Sequence, residues 1–179
     1  MELLDIIKLP DPILRKKSAA VEQVDDELRA LLDAMLETMY EAPGIGLAGI
    51  QVGVPRRIIT IDVTRDEGPR QPLFLINPEI LTQSDDRSTY EEGCLSIPEY
   101  FAEIERPASV RVRYVDYEGK RQEIQAEGLL ATVIQHEIDH LNGVLFVDYL
   151  SKLKRDLVIR KFAKAARLDE REKRKHVAL

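Results

Sequence analysis

The spacing of apolar residues predicts a first helix in the amino-terminal part of the chain. Between residues 26 and 40 the apolar positions recur every three or four residues, which is the period of a helix with one buried face. These positions are Leu28, Leu31, Leu32, Met35, Leu36 and Met39. We therefore expect a helix from about Asp26 to Tyr40 whose apolar face belongs to the core.

Three segments after this helix are rich in side chains that favour β-strands. They are Ile58 to Val63, Leu73 to Ile76 and Ser109 to Val115. In the last of them apolar residues mostly alternate with arginines, which indicates a strand with one buried face. Glu118-Gly119-Lys120 then predicts a turn that leads the chain back through Ile124 as a hairpin. Residues 65–72 form a polar connection without evident chemistry.

A second helical segment is apolar on nearly all of its sides. Its apolar residues are Leu129, Leu130, Val133, Ile134, Ile138 and Leu141. Such a helix should be buried, and Gly143 is placed to end it. The order helix, strands, helix, strand, helix predicts an α+β fold. We expect largely antiparallel sheets packed around this central buried helix, together with a C-terminal helix.

Length and composition fit a single globular domain. The chain has 179 residues, of which 44% are hydrophobic and 32% charged, and this length is enough to bury a core. No apolar run approaches the roughly 20 residues that cross a bilayer, and the first residues lack the basic and apolar regions of a secretory signal. The single cysteine excludes an internal disulfide and favours a cytoplasmic, reducing location. We expect neither a membrane nor DNA as a partner.

The central helix carries the residues with the clearest chemistry, His136-Glu137-Ile138-Asp139-His140. Residues four apart lie on one helix face a turn apart, so both imidazoles can reach one ion. Glu137 can then take a proton from a water on that ion. Two histidines and a glutamate on a buried helix also need compensation for their burial, and a divalent cation supplies it. The alternative is a pair of helix histidines that never bind metal.

A third protein ligand is needed, and its identity separates the classes of metalloenzyme. The longer metzincin pattern requires a histidine where this chain has Phe146, so that class is excluded. A downstream glutamate is a weaker candidate, because Glu170 and Glu172 lie in a highly charged tail. Cys94, in Glu92-Gly93-Cys94-Leu95-Ser96, is the better candidate, although a lone cysteine is often only a small buried hydrophobe.

The glycine-rich segment Gly44-Ile45-Gly46-Leu47-Ala48-Gly49-Ile50-Gln51 contains the GxGxxG spacing of dinucleotide-binding proteins. That fingerprint must leave a strand and open a helix, whereas here a helix comes before it and a strand comes after it. A nucleotide site is therefore disfavoured. The segment is then either a plain connector or a loop that lies close to a substrate, with Gln51 as an amide donor.

Three motifs of this chain together resemble those of the peptide deformylase family. They are the glycine-rich segment, the Cys94 motif and the extended metal motif Gln135-His136-Glu137-Ile138-Asp139-His140. They occur in the family's order with compatible spacing, and the resemblance covers essentially residues 1–150. Gly49 stands where an alanine is usual, which should loosen the loop slightly. Phe101 stands where some relatives have an arginine near the peptide-binding rim.

The resemblance implies a metal-dependent hydrolase that removes the formyl group from the N-terminal formylmethionine of nascent peptides. The ligands of one divalent ion per chain would be Cys94, His136 and His140, with a water in the fourth position. One thiolate and two imidazoles suit zinc, iron(II), cobalt and nickel. The family implies iron(II) in the cell, with zinc, nickel or cobalt able to substitute.

The resemblance also implies roles for three residues around the ion. Glu137 would activate the metal-bound water for attack on the formyl carbon and would return the proton to the leaving amine. The side-chain amide of Gln51 and the backbone N–H of Leu95 would stabilise the oxyanion that develops. These residues are therefore the expected catalytic set.

Substrate-binding residues are expected around the glycine-rich segment. Gly44 and Gly46 would let the backbone approach the peptide and bind it as an added strand, and Ile45, Tyr90 and Val133 are candidates for the methionine pocket. Two other functions stay open. A zinc peptidase would need a different third ligand and a longer cleft. A catalytically silent relative that only binds ribosomes or peptides would be expected to lack a ligand or the base.

The last part of the chain differs in charge from the rest. Residues 151–179 contain eleven Lys and Arg against four Asp and Glu, in a chain whose net charge is −6. We therefore divide the chain into a catalytic domain of residues 1–150 and an appended basic helix of residues 151–179. By the family resemblance this helix is expected to contact the ribosome through phosphates; the alternative is a solvated helix without a partner. Its face toward the domain would consist of Leu153, Leu157, Val158, Phe162 and Ala165.

Overall fold

The computed structural model describes residues 2–64 and 67–177. In this part of the chain the helices are α1 (Asp26–Glu41), α2 (Gly128–Leu141) and α3 (Lys152–Val177). The strands are β1 (Gly46–Ala48), β2 (Ile58–Ile61), β3 (Leu73–Gln83), β4 (Arg87–Cys94), β5 (Ile97–Pro107), β6 (Ser109–Val115) and β7 (Arg121–Glu127). The predicted α+β class is confirmed.

All neighbouring strands of the two sheets run antiparallel. Five strands form one sheet in the order β1-β2-β3-β6-β7, and β4 and β5 form a separate hairpin. The order places β1, which belongs to the glycine-rich segment, at an edge of the larger sheet. Backbone groups along such an edge are available to an added extended peptide.

The helix α2 occupies the centre of the molecule. Every residue from Ala131 to Ile138 is buried, and the apolar ones belong to one core cluster with residues from all five strands of the larger sheet. Their partners include Ala48, Ile59, Leu75, Val112 and Ala126. Just beyond the helix, Gly143 adopts φ +74, and a Cβ there would collide with the carbonyl oxygen of Arg15. The prediction that Gly143 ends this helix is therefore confirmed.

The helix α1 matches its prediction closely. The Asp25 carboxylate accepts a hydrogen bond from the Leu28 N–H at 2.8 Å and so caps its first turn. Four side chains of the predicted apolar face are fully buried, and they pack with Leu47, Ile58 and Ile76. The four are Leu28, Leu32, Met35 and Met39. Leu47 belongs both to this cluster and to β1. Packing against α1 therefore helps to hold the glycine-rich segment in place.

The strand predictions are confirmed in part. β2 ends at Ile61 rather than Val63, and β3 continues to Gln83. The hairpin of β4 and β5 was not among the predicted strands. Of the polar connection over residues 65–72, residues 65 and 66 lie outside the described part of the chain.

The strand predicted between the central and C-terminal helices is wrong. That segment forms a short 3-10 turn at Phe146–Tyr149, in which the Asp148 carboxylate accepts a hydrogen bond from the Leu145 N–H at 3.0 Å. Leu145, Phe146 and Val147 are buried together in a second apolar cluster. The apolar run thus fills the core without pairing to a strand.

The docking face predicted for α3 is only partly correct. Val158 is 5% exposed, and Ile159 and Phe162 pack beside it in the second apolar cluster. Leu153 and Leu157, by contrast, are 71% and 55% exposed, and Ala165 is exposed as well. The contact face is therefore rotated from the predicted one, and residues 167–176 are all exposed. No helix of the described residues is both long and apolar enough to cross a membrane.

Candidate metal centre

The three predicted metal ligands meet beneath the β4–β5 hairpin. His136 and His140 lie one turn apart on α2, and both are buried. Cys94 is the last residue of β4. One ligand atom from each of the three side chains lies within 4.8 Å of the others, and the Cys94 Sγ is 3.3 Å from Nε2 of His140. Two elements far apart in sequence thus bring these atoms into one cluster.

A buried carboxylate fixes the orientation of His136. Glu92 Oε1 lies 2.8 Å from Nδ1 of His136, which leaves Nε2 as the nitrogen directed away from the carboxylate. Burial alone would lower the pKa of His136, but contacts with Cys94 and Glu92 raise it well above 6.5. A carboxylate on the second ring nitrogen is also the usual support of a metal-binding histidine.

Arg106 holds Glu92 in place from the other side. The Arg106 guanidinium donates from Nε and Nη2 to the two carboxylate oxygens of Glu92 at 2.7 and 2.9 Å. Its Nη1 donates to Asp139 at 2.9 Å, and the hydroxyl of Tyr149 donates to the same Asp139 oxygen at 2.7 Å. Burial tends to raise the pKa of Glu92, but hydrogen bonds from His136 and Arg106 lower it overall. The network ties β4, β5 and the turn after α2 to the metal helix.

Sequence reasoning missed Arg106 and the supporting role of Glu92. Both are almost completely buried, with side chains 4% and 5% exposed. Glu92 belongs to the recognised cysteine motif, so its position offered a signal. Arg106 lies in a charged stretch, and its partners are 14 and 33 residues away along the chain. The neighbouring residues in the sequence therefore do not indicate its role.

Glu137 lies between the histidines and the glycine-rich segment. Its Oε1 is 3.9 Å from Nε2 of His136, and among the described residues its Oε2 is buried without a hydrogen-bond partner. Burial raises the pKa of Glu137 to about 7. A Cβ on Gly46 would lie 2.7 Å from Oε1, so glycine at this position leaves the carboxylate its space. A carboxylate with this pKa can both accept and donate a proton near neutral pH.

Gln51 reaches the centre from the turn after β1. Its Oε1 accepts a hydrogen bond from the Ala48 N–H at 2.9 Å, which fixes the direction of the amide. Its Nε2 donates to Ser96 Oγ at 3.0 Å and lies 3.5 Å from the Cys94 Sγ. The donor end of this amide is therefore held beside one of the three candidate ligands.

The centre opens into one cleft of about 870 Å³. Five residues of the proposed centre line this cleft, and His140 does not. The five are Cys94, His136, Glu137, Gln51 and Leu95. All five predicted substrate-binding residues border the same cleft. These are Gly44, Ile45, Gly46, Tyr90 and Val133. The side chain of Leu95 packs so closely on Gly44 that a Cβ there would lie 2.6 Å from its Cδ1.

The expectation that Gly49 loosens the glycine-rich segment is wrong. Gly49 is buried, and a Cβ at this position would lie 2.8 Å from Ile58 Cγ1 and 2.9 Å from the Val54 carbonyl oxygen. Neighbouring atoms thus occupy the space of the missing methyl group. The segment is tightly packed at this point.

These residues fit a divalent transition-metal ion. Two imidazoles and one thiol form a donor set typical of such ions, and their atoms are close enough to share one. Among the described residues, Nδ1 of His140 is a further buried nitrogen without a partner. The fit rests on the donor types and their spacing, and the side of the cluster that faces the cleft leaves room for a substrate.

Comparison with known proteins finds relatives of a single family. A family model described as polypeptide deformylase matches residues 3–156. A peptide deformylase of Agrobacterium fabrum is 64% identical over 93% of this chain and 98% of its own length, and one of Rhizobium meliloti is 62% identical over 93% and 96%. A crystal structure of peptide deformylase from Ehrlichia chaffeensis in complex with actinonin superposes with a TM-score of 0.87 at 46% identity, covering 92% of this chain and 98% of that one. A plant structure, peptide deformylase 1B, gives 0.86 at 39% identity, covering 95% of this chain and 92% of that one.

Proposed function

The chain belongs to the polypeptide deformylase family, and on that premise we propose that it removes the formyl group from N-terminal formylmethionine of nascent peptides. The observation that carries the proposal is the meeting of Cys94, His136 and His140 within 4.8 Å, with Glu137 beside them in the lining of a cleft. Formyl peptides arise where proteins are synthesised, so we place the enzyme in the cytoplasm.

We propose Cys94, His136 and His140 as the ligands of one divalent ion. When bound, the ion lowers the pKa of a water molecule and polarises the carbonyl oxygen of the substrate. A thiolate with two imidazoles suits iron(II), zinc, nickel and cobalt, and we propose iron(II) as the metal in the cell. Glu92 and Arg106 position His136 for its role as a ligand, as the hydrogen bond at Nδ1 supports.

Glu137 is proposed as the general base and acid. Its burial and its raised pKa of about 7 allow it to accept the proton of the attacking water and then to pass it to the leaving amine. The close approach of Gly46 to its Oε1 means that a peptide bound along the glycine-rich segment would pass directly by this carboxylate.

Gln51 and Leu95 are proposed to stabilise the negative charge that develops on the formyl oxygen. The Gln51 amide is held by Ala48 and Ser96, so it need not reorganise during the reaction, which is the condition for an effective oxyanion donor. Leu95 directly follows Cys94 and lines the same cleft, and its backbone N–H is the second proposed donor.

The edge strand β1 is proposed to bind the peptide backbone. Gly46 begins this strand and Gly44 precedes it, and both border the cleft. An extended peptide can add to a sheet edge through main-chain hydrogen bonds. The methionine side chain would then be received by Ile45, Tyr90 and Val133. A site so close to the ligands accepts a formyl group, whose far side carries only hydrogen, more readily than a larger acyl group.

The proposed function predicts strong selectivity for the formyl group. Metal-loaded protein is incubated with formyl-Met-Ala-Ser and with acetyl-Met-Ala-Ser, and the released acid and free amine are measured. We expect formate release, and we expect acetate release to be slower by about 10²-fold or more, because one added methyl group must fit next to the proposed metal ligands. Cleavage of an internal peptide bond would indicate a peptidase, and no reaction with either peptide would indicate a silent relative.

For the C-terminal part, residues 151–179, we propose binding to the ribosome. The exposed basic residues of α3 lie on a helix whose distal half is exposed, while Val158 anchors its proximal half on the catalytic domain, residues 1–150. Such a helix can approach ribosomal RNA without disturbing the domain. Contacts to phosphates would supply most of the affinity.

This proposal predicts weaker ribosome binding when the basic face is neutralised. The test variant carries glutamine at four exposed positions of α3: Arg160, Lys161, Lys164 and Arg167. Co-sedimentation with ribosomes should weaken, and the plot of log affinity against log salt should become less steep, because the variant binds fewer phosphate groups. The matched control carries the same charge change at exposed positions of the domain: Lys16, Lys17, Lys120 and Arg121. Equal weakening in both variants would contradict a specific role for α3.

A further inference from the structure

The hairpin of β4 and β5 contains a large irregularity next to the metal centre. Between the pairs Glu92–Ala102 and Cys94–Ile97, β4 contributes only Gly93, whereas β5 contributes residues 98–101. Within this bulge Glu99 has φ +61, a left-handed conformation that is costly for a residue with a Cβ. Backbone strain of this kind persists where the surrounding structure requires a particular presentation of side chains.

The bulge presents the ring of Phe101 to solvent at the cleft. Phe101 is 62% exposed and borders the cleft that leads to Cys94 and His136. Its ring lies against the backbone of Gly93, because a Cβ on that glycine would be 2.6 Å from Cε1 and 2.7 Å from Cδ1. The ring is therefore seated in a defined place beside the residue that precedes the Cys94 ligand.

Two more exposed apolar side chains border the same cleft. Leu3 is 50% exposed and Leu129 is 40% exposed. Among the described residues before Tyr149, these three are the large hydrophobic side chains that are exposed. Single exposed apolar residues are common on protein surfaces, but their concentration around one cleft marks a binding surface.

On the basis of the proposed function, we propose that Phe101 is a specificity-determining residue that selects an apolar side chain at the second residue of the formyl peptide. The formyl carbon must lie at the metal ligands, and the methionine follows it. Since Gly93 is adjacent to Cys94, the ring on Gly93 lies close to the reacting end of the peptide. The side chain of the residue after methionine is therefore the one that can contact the Phe101 ring. An apolar side chain at this position would cover the ring and remove its apolar surface from water.

The test compares leucine with asparagine, which have similar size, at the second residue of the substrate. The substrates are formyl-Met-Leu-Ser and formyl-Met-Asn-Ser, with the same pair of residues placed third in a second series. We expect metal-loaded wild-type protein to favour leucine at the second residue by roughly tenfold in kcat/KM. In Phe101→Ser this preference should fall below about threefold, and Phe101→Leu should retain most of it, because contact with an apolar wall is the cause.

Within one preparation the ratio of the two rates is independent of the fraction of protein that is folded or loaded with metal. Leu168→Ser is the matched control, since Leu168 is also half exposed but lies outside the cleft, and it should keep the wild-type ratio. An unchanged ratio in Phe101→Ser would overturn the inference. So would wild-type protein that releases formate without preferring leucine, or a Phe101-dependent preference confined to the third residue. Failure of the proposed function is a different result, namely no formate from any of the peptides.

Discussion

Replacing Cys94 by alanine should yield a folded protein that has lost both its tightly bound metal and its activity. The substitution removes one of three ligand side chains from the cluster formed with His136 and His140, and two imidazoles alone bind a divalent ion much more weakly. Metal content measured on the purified variant should fall from about one ion per chain toward zero, and formate release should fall with it.

Cys94→Asp serves as the companion variant for this prediction. A carboxylate can also bind a divalent ion, so this variant should keep a weaker site and part of the metal. Circular dichroism and thermal unfolding separate loss of the ligand from loss of the fold. If Cys94→Ala retains one tightly bound ion with turnover close to wild type, Cys94 has been assigned wrongly.

Replacing Glu137 by glutamine should leave the metal in place and reduce turnover by about 10² to 10⁴-fold. Glutamine preserves the size of the side chain between the ligands and Gly46, but it cannot accept the proton of the attacking water. The main effect should appear in kcat rather than in KM, because the carboxylate acts on the reacting atoms. Steady-state kinetics and metal analysis on the same preparation measure the two quantities.

A glutamate outside the cleft supplies the control for this variant. Glu103 lies on β5 and is exposed, so Glu103→Gln makes the same chemical change without touching the centre and should behave as wild type. A Glu137→Gln protein that loses its metal would show that Glu137 is a ligand or a structural support. A variant with unchanged kcat would exclude it as the base.

The parts of the site that could be predicted from the sequence are those whose residues lie close together along the chain. His136 and His140 are four residues apart, and the geometry of a helix then determines that they share a face. The apolar surroundings of the same helix predicted its burial, which the structure confirms from Ala131 to Ile138. Cys94 required an argument by chemistry, because its distance along the chain from the histidines carries no geometric information.

Residues that act through long-range contacts could not be predicted in this way. Arg106 forms ion pairs with two carboxylates, Glu92 on β4 and Asp139 on α2, which come together only in the folded chain. The β4–β5 hairpin was also missed, since its outer face is charged and its pairing is interrupted by the bulge opposite Gly93. Hydrophobic periodicity along the sequence therefore does not predict this hairpin, because its pairing is interrupted and one face of it is polar.

The contact face of α3 illustrates a different limit. Periodicity alone does not determine which of the apolar residues of this helix face the domain. The structure buries Val158 and half-buries Phe162, while Leu153 and Leu157 stay exposed. The choice between them depends on where the turn at Phe146–Tyr149 directs the chain, and the sequence had wrongly suggested a strand there.

The central claim is that one ion held by Cys94, His136 and His140 supports hydrolysis of the formyl group. Its most direct test is a titration of metal-depleted protein with iron(II) under anaerobic conditions, with formate release from formyl-Met-Ala-Ser measured at each step. Activity should be absent at the start, rise in proportion to bound metal and stop rising at one ion per chain. Full activity in metal-depleted protein that contains a chelator, or no formate from the fully loaded protein, would contradict the claim.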